Sequence, residues 1–292
     1  MAGMHPVQSQ SIMVGAHHVS RQIQLTWNRF TIVWQDSLLC LCYDRPPIVT
    51  ITGWPTDTSI FTRLDLSYTD VMYYLCRMAL ETTKPEDTEV HEISRPLDAL
   101  TTLDNVYNRA QLHLRSRDNC RSLHQNFEHL ALKMHVSLGI SVLCRPAIKR
   151  AQPHDPQYGY ELLRARAKAS LIDASKAFLD FQTLSIVPLR TWSMVHTVLS
   201  STLLLCVWEE TRHDPECRDL QQKVIEVFSA IEPAGSGDPK SASDNGQWLS
   251  EQHIRALVTL RNAVGSALDQ SREETAPGET VADAENSLPV FS

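Results

Sequence analysis

Leu123-His-Gln-Asn-Phe127-Glu-His-Leu130-Ala-Leu-Lys-Met134-His-Val-Ser-Leu138-Gly-Ile-Ser-Val142 decides the fold class. Its apolar residues at 123, 127, 130, 134, 138 and 142 step by three or four, the period of an α-helix that turns one face to a core. The same stepping recurs at Leu163, Ala167, Leu171, Ala174, Phe178 and Phe181. It returns at Leu220, Val224, Val227 and Ile231, and again at Leu249, His253, Leu257, Leu260, Val264 and Leu268. Strand signals are scarce. Pro47-Ile48-Val49-Thr50-Ile51-Thr52 is β-branched, but it is short and follows two prolines, so an extended connection accounts for it. The pattern predicts an all-α protein, an irregular bundle of about eight helices.

Helix breakers fall where the periodicity lapses. Pro146, Pro153 and Pro156 predict a loop over 145–158, and Pro188 is placed to open a helix running from Trp192 to Trp208. That helix is apolar on most sides and belongs at the centre of a bundle, where ligand pockets are common. The Gly-, Ser- and Asp-rich stretch 232–247 has the composition of a disordered linker. From Arg272 the tail carries five acids and one base and ends in Leu288-Pro-Val-Phe291. The expected organisation is a flexible N-terminus over 1–20, a helical domain over 21–271 and a disordered acidic tail over 272–292.

Composition narrows the function classes. The net charge of -7 argues against a nucleic-acid surface spread over the molecule, and the densest basic stretch, Arg145 to Arg150, holds three positive charges. No direct nucleic-acid binding is expected. The N-terminus lacks the basic region and apolar run of a secretory signal. The most apolar window, Met194 to Trp208, falls short of the ~20 residues of a membrane span and is interrupted by His196, Thr197, Ser200, Ser201 and Thr202, so no membrane association is expected. Seven cysteines, mostly within apolar helical segments, read as reduced core thiols. Cys40 and Cys42 alone make a poor metal site, and no structural zinc is expected.

The search for catalytic motifs yields none. His91-Glu92 begins like a helical zinc-protease motif, but Arg95 stands where the second histidine belongs. His124, His129 and His135 share one helix at spacings of five and six, which puts them on different faces. His17-His18 alone is a weak metal site. With ten glycines the chain has no nucleophile elbow and no phosphate loop, and Gly235-Ser-Gly237 lies in the linker. Glu209-Glu210 and Glu273-Glu274 are adjacent and point about 100° apart on a helix, which makes them solvated surface rather than an acid/base pair. Trp27, Trp34, Trp192 and Trp208 sit among apolar residues and read as core. No catalytic, cofactor-binding or metal-ligating residue is assigned, and no enzyme is expected.

One segment carries a family likeness. Trp34-x-Asp36-Ser37-Leu38-x-x-Leu41-x-x-x-Arg45-Pro46-Pro47 resembles the fungal-specific transcription factor domain, the regulatory middle region of Zn2Cys6-type regulators. Ile140-Ser-Val-Leu143-Cys-Arg145-Pro146 looks like that domain's second helix. Ala165 to Leu184, then Leu189-Arg-Thr-Trp192-Ser-Met-Val195-His196, looks like its alanine-bearing and Trp-containing helices. The likeness covers roughly residues 25 to 215. Asp44 stands where the family has glycine, and the six-cysteine zinc cluster with its basic residues has no counterpart in this sequence.

The resemblance implies a helical regulatory domain without its own DNA reader. It would be a nuclear regulator or co-regulator of transcription, working through a DNA-binding transcription factor or a homodimer partner. A secondary-metabolite gene cluster is the implied setting, and a small-molecule effector in the helical core is the implied control. Two other readings stand beside it: an all-α biosynthetic enzyme with its site in the core, and an inactive truncated regulator. Convergent titratable groups around a closed pocket would favour the enzyme, and exposed apolar residues the partner-binding module.

Overall fold

The computed structural model describes residues 32–40, 48, 63–82, 94–149, 158–230 and 251–274. Among them the all-α expectation holds: eleven α-helices, eight of seven residues or more, and no strand. In chain order they are α1 (32–40), α2 (Tyr68–Thr82), α3 (Ser94–Tyr107), α4 (Leu112–Arg115) and α5 (Leu123–Leu143). There follow α6 (Arg145–Lys149), α7 (Tyr158–Leu184), α8 (Val187–Arg190), α9 (Trp192–Val207), α10 (Pro215–Ser229) and α11 (Glu251–Glu274).

Helix starts are written into local sequence. Ser67 accepts from the Asp70 amide at 3.3 Å while Asp70 takes the Ser67 amide at 2.9 Å, a reciprocal box at the head of α2. Ser122 accepts from the Gln125 amide at 3.2 Å and opens α5. Asp214 caps α10, with Pro215 in its first turn. A parallel bridge between Leu66 and Ala110 ties the approach to α2 onto the turn after α3, and Asp65 beside it takes φ 65°, a left-handed conformation that Asp adopts more readily than most residues.

Helices α5 and α7 pair more extensively than any other two and form the axis of the bundle. They run antiparallel: the Phe127 and Phe181 rings are tilted to each other with centroids 5.2 Å apart, and about two helical turns on Lys133 meets Asp173 at 3.1 Å. Most of the apolar stripe predicted for each helix lies in the core, with Leu130, Met134, Leu163, Leu171 and Phe178 all buried, but Leu123, the first residue of the α5 stripe, is exposed. One core cluster joins the Leu143 end of this pair to α2, α3 and α4. The other joins its Leu123 end to α9, α10 and α11, with Phe178 stacked on Phe228. Gly139 permits a close approach of α5 to α2: a Cβ there would stand 2.8 Å from Leu75 Cδ1.

Helix α9 buries residues on nearly every side, as its sequence required. Three local readings are corrected. Pro188 opens the separate one-turn helix α8, and extended Thr191 interrupts the chain before α9 begins at Trp192. Arg145–Lys149, expected as loop, continues as α6 because Pro146 sits in a first turn, where its missing amide hydrogen costs nothing. Helix α11 runs to Glu274, past the boundary expected at 271. The expected flexible N-terminus, the linker 232–247 and residues 275–292 of the tail lie outside the described residues. No described helix is long and apolar enough to cross a membrane.

Candidate functional site

A cavity of about 110 Å³ opens where α5, α6, α7 and α9 converge. Leu138 and Val142 of α5, Leu171 of α7 and Leu204 of α9 form its apolar wall. Ser141, Arg145, His196, Ser200 and Ser201 bring polar groups to the same space. Helical spacing places the last three: residues 196, 200 and 201 share one face of α9, four and five apart.

The polar groups are differently engaged. Ser141 donates to the Leu138 carbonyl at 2.8 Å. Ser200 Oγ lies 3.3 Å from His196 Nε2, and the Trp192 ring stacks on the His196 imidazole with centroids 5.6 Å apart. Thr197 and Thr202 satisfy their hydroxyls on α9 carbonyls at 2.7 and 2.6 Å. Ser201 differs: it is 3% exposed, lines the cavity, and its hydroxyl makes no hydrogen bond among the described residues. Among the described residues of the wall, Arg145 is the permanently charged one and none is a carboxylate.

A second polar constellation lies across α4 and α5. Glu128 takes His113 at 3.0 Å on one carboxylate oxygen and His124 at 3.4 Å on the other. His129 of the same helix hydrogen-bonds the Leu114 carbonyl at 3.0 Å, and burial lowers its pKa. His135 is fully buried with no hydrogen-bond partner at Nδ1, and burial lowers its pKa to about 4. The three histidines of α5 do face different directions, as their spacing required. Among the described residues no three or more His, Cys, Asp or Glu gather as a metal-binding group.

The Trp34 segment is placed within the core's edge. Asp36 is buried and accepts from the Ile48 amide at 2.9 Å, tying α1 to the chain beyond the two prolines. Trp34 meets Tyr68 at 6.2 Å and the edge of His135 at 5.7 Å. These contacts dock α1 on α2 and α5.

The chain matches no family model, no curated protein and no solved structure. The functional reading therefore rests on geometry and on the residues themselves.

A third feature is an apolar end. Leu184, Ile186 and Val187, at the corner between α7 and α8, are all exposed, Ile186 by 51%. The antiparallel register brings exposed Leu123, the first residue of α5, to the same end. Arg121 and Arg190 are exposed nearby, and Arg117 pairs with Asp180 at 2.7 Å below the corner. Sequence reasoning missed this end, and it expected a ligand pocket beside the Trp192–Trp208 helix without naming the cavity's residues, which come from four helices. Of the acid pairs, Glu210 is held by Arg164 while Glu209 is solvated. Trp208 is buried with the Arg164 guanidinium 5.7 Å over its ring, and Trp192 is half-buried. Cys42, His91 and Glu92 lie outside the described residues.

Proposed function

We propose that this chain is a helical regulatory domain that works by docking a protein partner, with a small-molecule effector in its core. The observation that carries this is the apolar end built from Leu123, Leu184, Ile186 and Val187 with arginines at its margin. An apolar centre with a polar rim is the usual build of a partner surface. The likeness of residues 34–47 and 140–196 to the fungal transcription factor domain makes the proposed partner a DNA-binding transcription factor or a second copy of this chain. The same likeness makes the proposed setting the nucleus and a secondary-metabolite gene cluster.

The experiment is affinity purification of the tagged chain from its native host, alongside a variant carrying Ile186→Asp and Val187→Asp. Both residues are exposed, so the variant should keep the wild-type helical circular dichroism. The reading expects a DNA-binding protein, or the untagged chain, to co-purify with wild type and not with the variant, and the complex to occupy promoters. Recovery of the wild-type chain alone would overturn it.

The specific observation on the side of an enzyme is the Ser200–His196 pair on the cavity wall. A serine within hydrogen-bond reach of a histidine is the minimal nucleophile arrangement. Its test is turnover of a pathway metabolite that Ser200→Ala abolishes.

A further inference from the structure

We infer that the contact between Trp34 and His135 is an acid-operated latch: a proton on His135 releases α1 from α2 and α5 while the α5–α7 bundle stays folded. The inference goes beyond the proposed function and shares no residue with the apolar end or the cavity.

The seat of α1 is small. Val33 and Cys40 close a core cluster with Leu80 of α2, and Trp34 packs against the larger cluster around α2 and α5. Asp36 spends its carboxylate on the Ile48 amide at 2.9 Å, which ties α1 to its own following chain and not to α2 or α5. A helix running only from 32 to 40 has little stability by itself. An element held by few side chains opens at a lower free energy than the whole fold.

His135 lies under this seat. It stands one turn before Gly139, the position that meets Leu75 and Met78, and so belongs to the α2-facing side of α5. The Trp34 ring is at 85° to its imidazole with centroids 5.7 Å apart. The side chain is 2% exposed, and Nδ1 has no hydrogen-bond partner. A proton there would make a buried cation with neither water nor a counter-charge. A cation beside an indole recovers only part of the hydration it gives up. Undocking α1 returns water to the ring, so the open form takes the proton and the closed form does not.

The charged groups around the seat are committed elsewhere. On α1, Asp36 holds the Ile48 amide; on α2, Asp70 holds Ser67. Burial raises the pKa of the Tyr68 hydroxyl and of the Cys76 thiol, so both are neutral between pH 5 and 7. Along α5, Glu128 serves His113 and His124, and Lys133 pairs with Asp173 of α7. Burial is the cause that acts on His135, and it lowers the pKa to about 4. The docked value lies below the open value of ~6.5, so docking is fully stable above that pH and weakens as pH falls toward 4. Between pH 7 and pH 5 the opening constant of α1 should rise about twentyfold.

The test is hydrogen exchange of the full chain read by mass spectrometry at pH 7 and pH 5, each rate divided by the intrinsic rate at that pH. Protection of residues 32–40 should fall about twentyfold, and at pH 5 it should stay at least about tenfold below that of α7. In His135→Leu the protection of α1 should be the same at both pH values. Should that variant fail to fold, His135→Met takes its place. Trp34→Ala removes the cover, and NMR titration of the His135 imidazole should then give a pKa moved toward ~6.5. Unchanged α1 protection in wild type would overturn the inference, as would an equal fall in the folded His135 variant. So would equal protection of α1 and α7 at pH 5, since α1 would then leave only with the whole fold, or an unmoved His135 pKa in Trp34→Ala.

Discussion

Lys168 Nζ lies 2.7 Å from one carboxylate oxygen of Asp214, while the other oxygen accepts the Glu216 amide at 2.9 Å and the Cys217 amide at 3.4 Å. One side chain thus caps α10 and bolts that cap to α7. It is the middle rung of a ladder in which Arg164 of α7 holds Glu210 and Lys176 holds Glu216 at 2.5 Å. The Lys168 ammonium, then the two backbone amides, hold the Asp214 carboxyl below its usual range, and Asp214 raises the Lys168 pKa in turn.

Removing Asp214 separates its two jobs. Asp214→Ala should cost about 1–2 kcal/mol, most of it the lost cap, since a partly exposed ion pair contributes less than ~1 kcal/mol. Asp214→Asn keeps an acceptor for the cap and should cost less. Because the folded carboxyl pKa is depressed, its charge stabilises the fold above the unfolded value of ~3.9. That contribution disappears as pH falls through the lower folded value. Urea unfolding followed by circular dichroism should therefore show wild type more stable than Asp214→Asn at neutral pH, with the gap closing in acid. An equal gap at both ends of that range would contradict the ion-pair assignment.

His135 works in the opposite sense. Burial alone lowers its pKa to about 4, and Nδ1 has no hydrogen-bond partner beside the Trp34 ring. The unfolded chain takes up this proton near pH 6.5 and the folded chain does not. Stability should therefore fall as pH drops from ~6.5 toward ~4, at up to about 1.4 kcal/mol per pH unit, and be fully present above that window. His135→Leu removes both the proton and the orphan nitrogen. The variant should be as stable as wild type or more so at pH 7, and should lose less on acidification. Acid titration of the urea midpoint measures both slopes, and parallel slopes would show that His135 is not the group responsible.

How much of this was legible before the structure depended on whether a feature is local. The stripes of α5 and α7 were readable because a helix buries one face, and Leu130, Met134, Leu171 and Phe178 announce that face every third or fourth residue. The central place of α9 was readable from its all-round apolarity. Caps at Ser67, Ser122 and Asp214 are also local. The cavity was not readable, since Ser141, Leu171 and Ser201 come from three helices and none is unusual in its own segment. Nor was the ladder. Lys168 and Asp214 are 46 residues apart, and only the fold makes them neighbours. Pro188 misled because proline marks a first turn without saying which helix that turn begins.

The thiols give a chemical check on the core. Burial pushes the pKa of Cys76, Cys144 and Cys206 up to about 12 and that of Cys217 to about 11. At pH 8 a thiol with pKa about 12 is ionised in only about one molecule in 10⁴, and the thiolate is the reactive form. Native-state labelling with iodoacetamide, read by peptide mass spectrometry, should leave these four unmodified and reach half-exposed Cys120 first among the five. In guanidinium all five should label at similar rates. Rapid native labelling of Cys144 or Cys206 would mean that the cluster around it opens readily.

Phe178 and Phe228 supply the test of the core that positions everything else. Both are fully buried, their rings are nearly parallel at 10° with centroids 5.6 Å apart, and they join α7 to α10. Either residue replaced by alanine should cost about 3–5 kcal/mol, from lost burial and the space left behind. The double replacement should cost less than the sum of the two, by a coupling of about 0.5–1.5 kcal/mol for the paired rings. Each replacement alone removes the ring contact, so the second finds no partner left to lose. Chemical unfolding of the four proteins in the cycle measures that coupling. Strict additivity would mean that the two rings share a core without interacting.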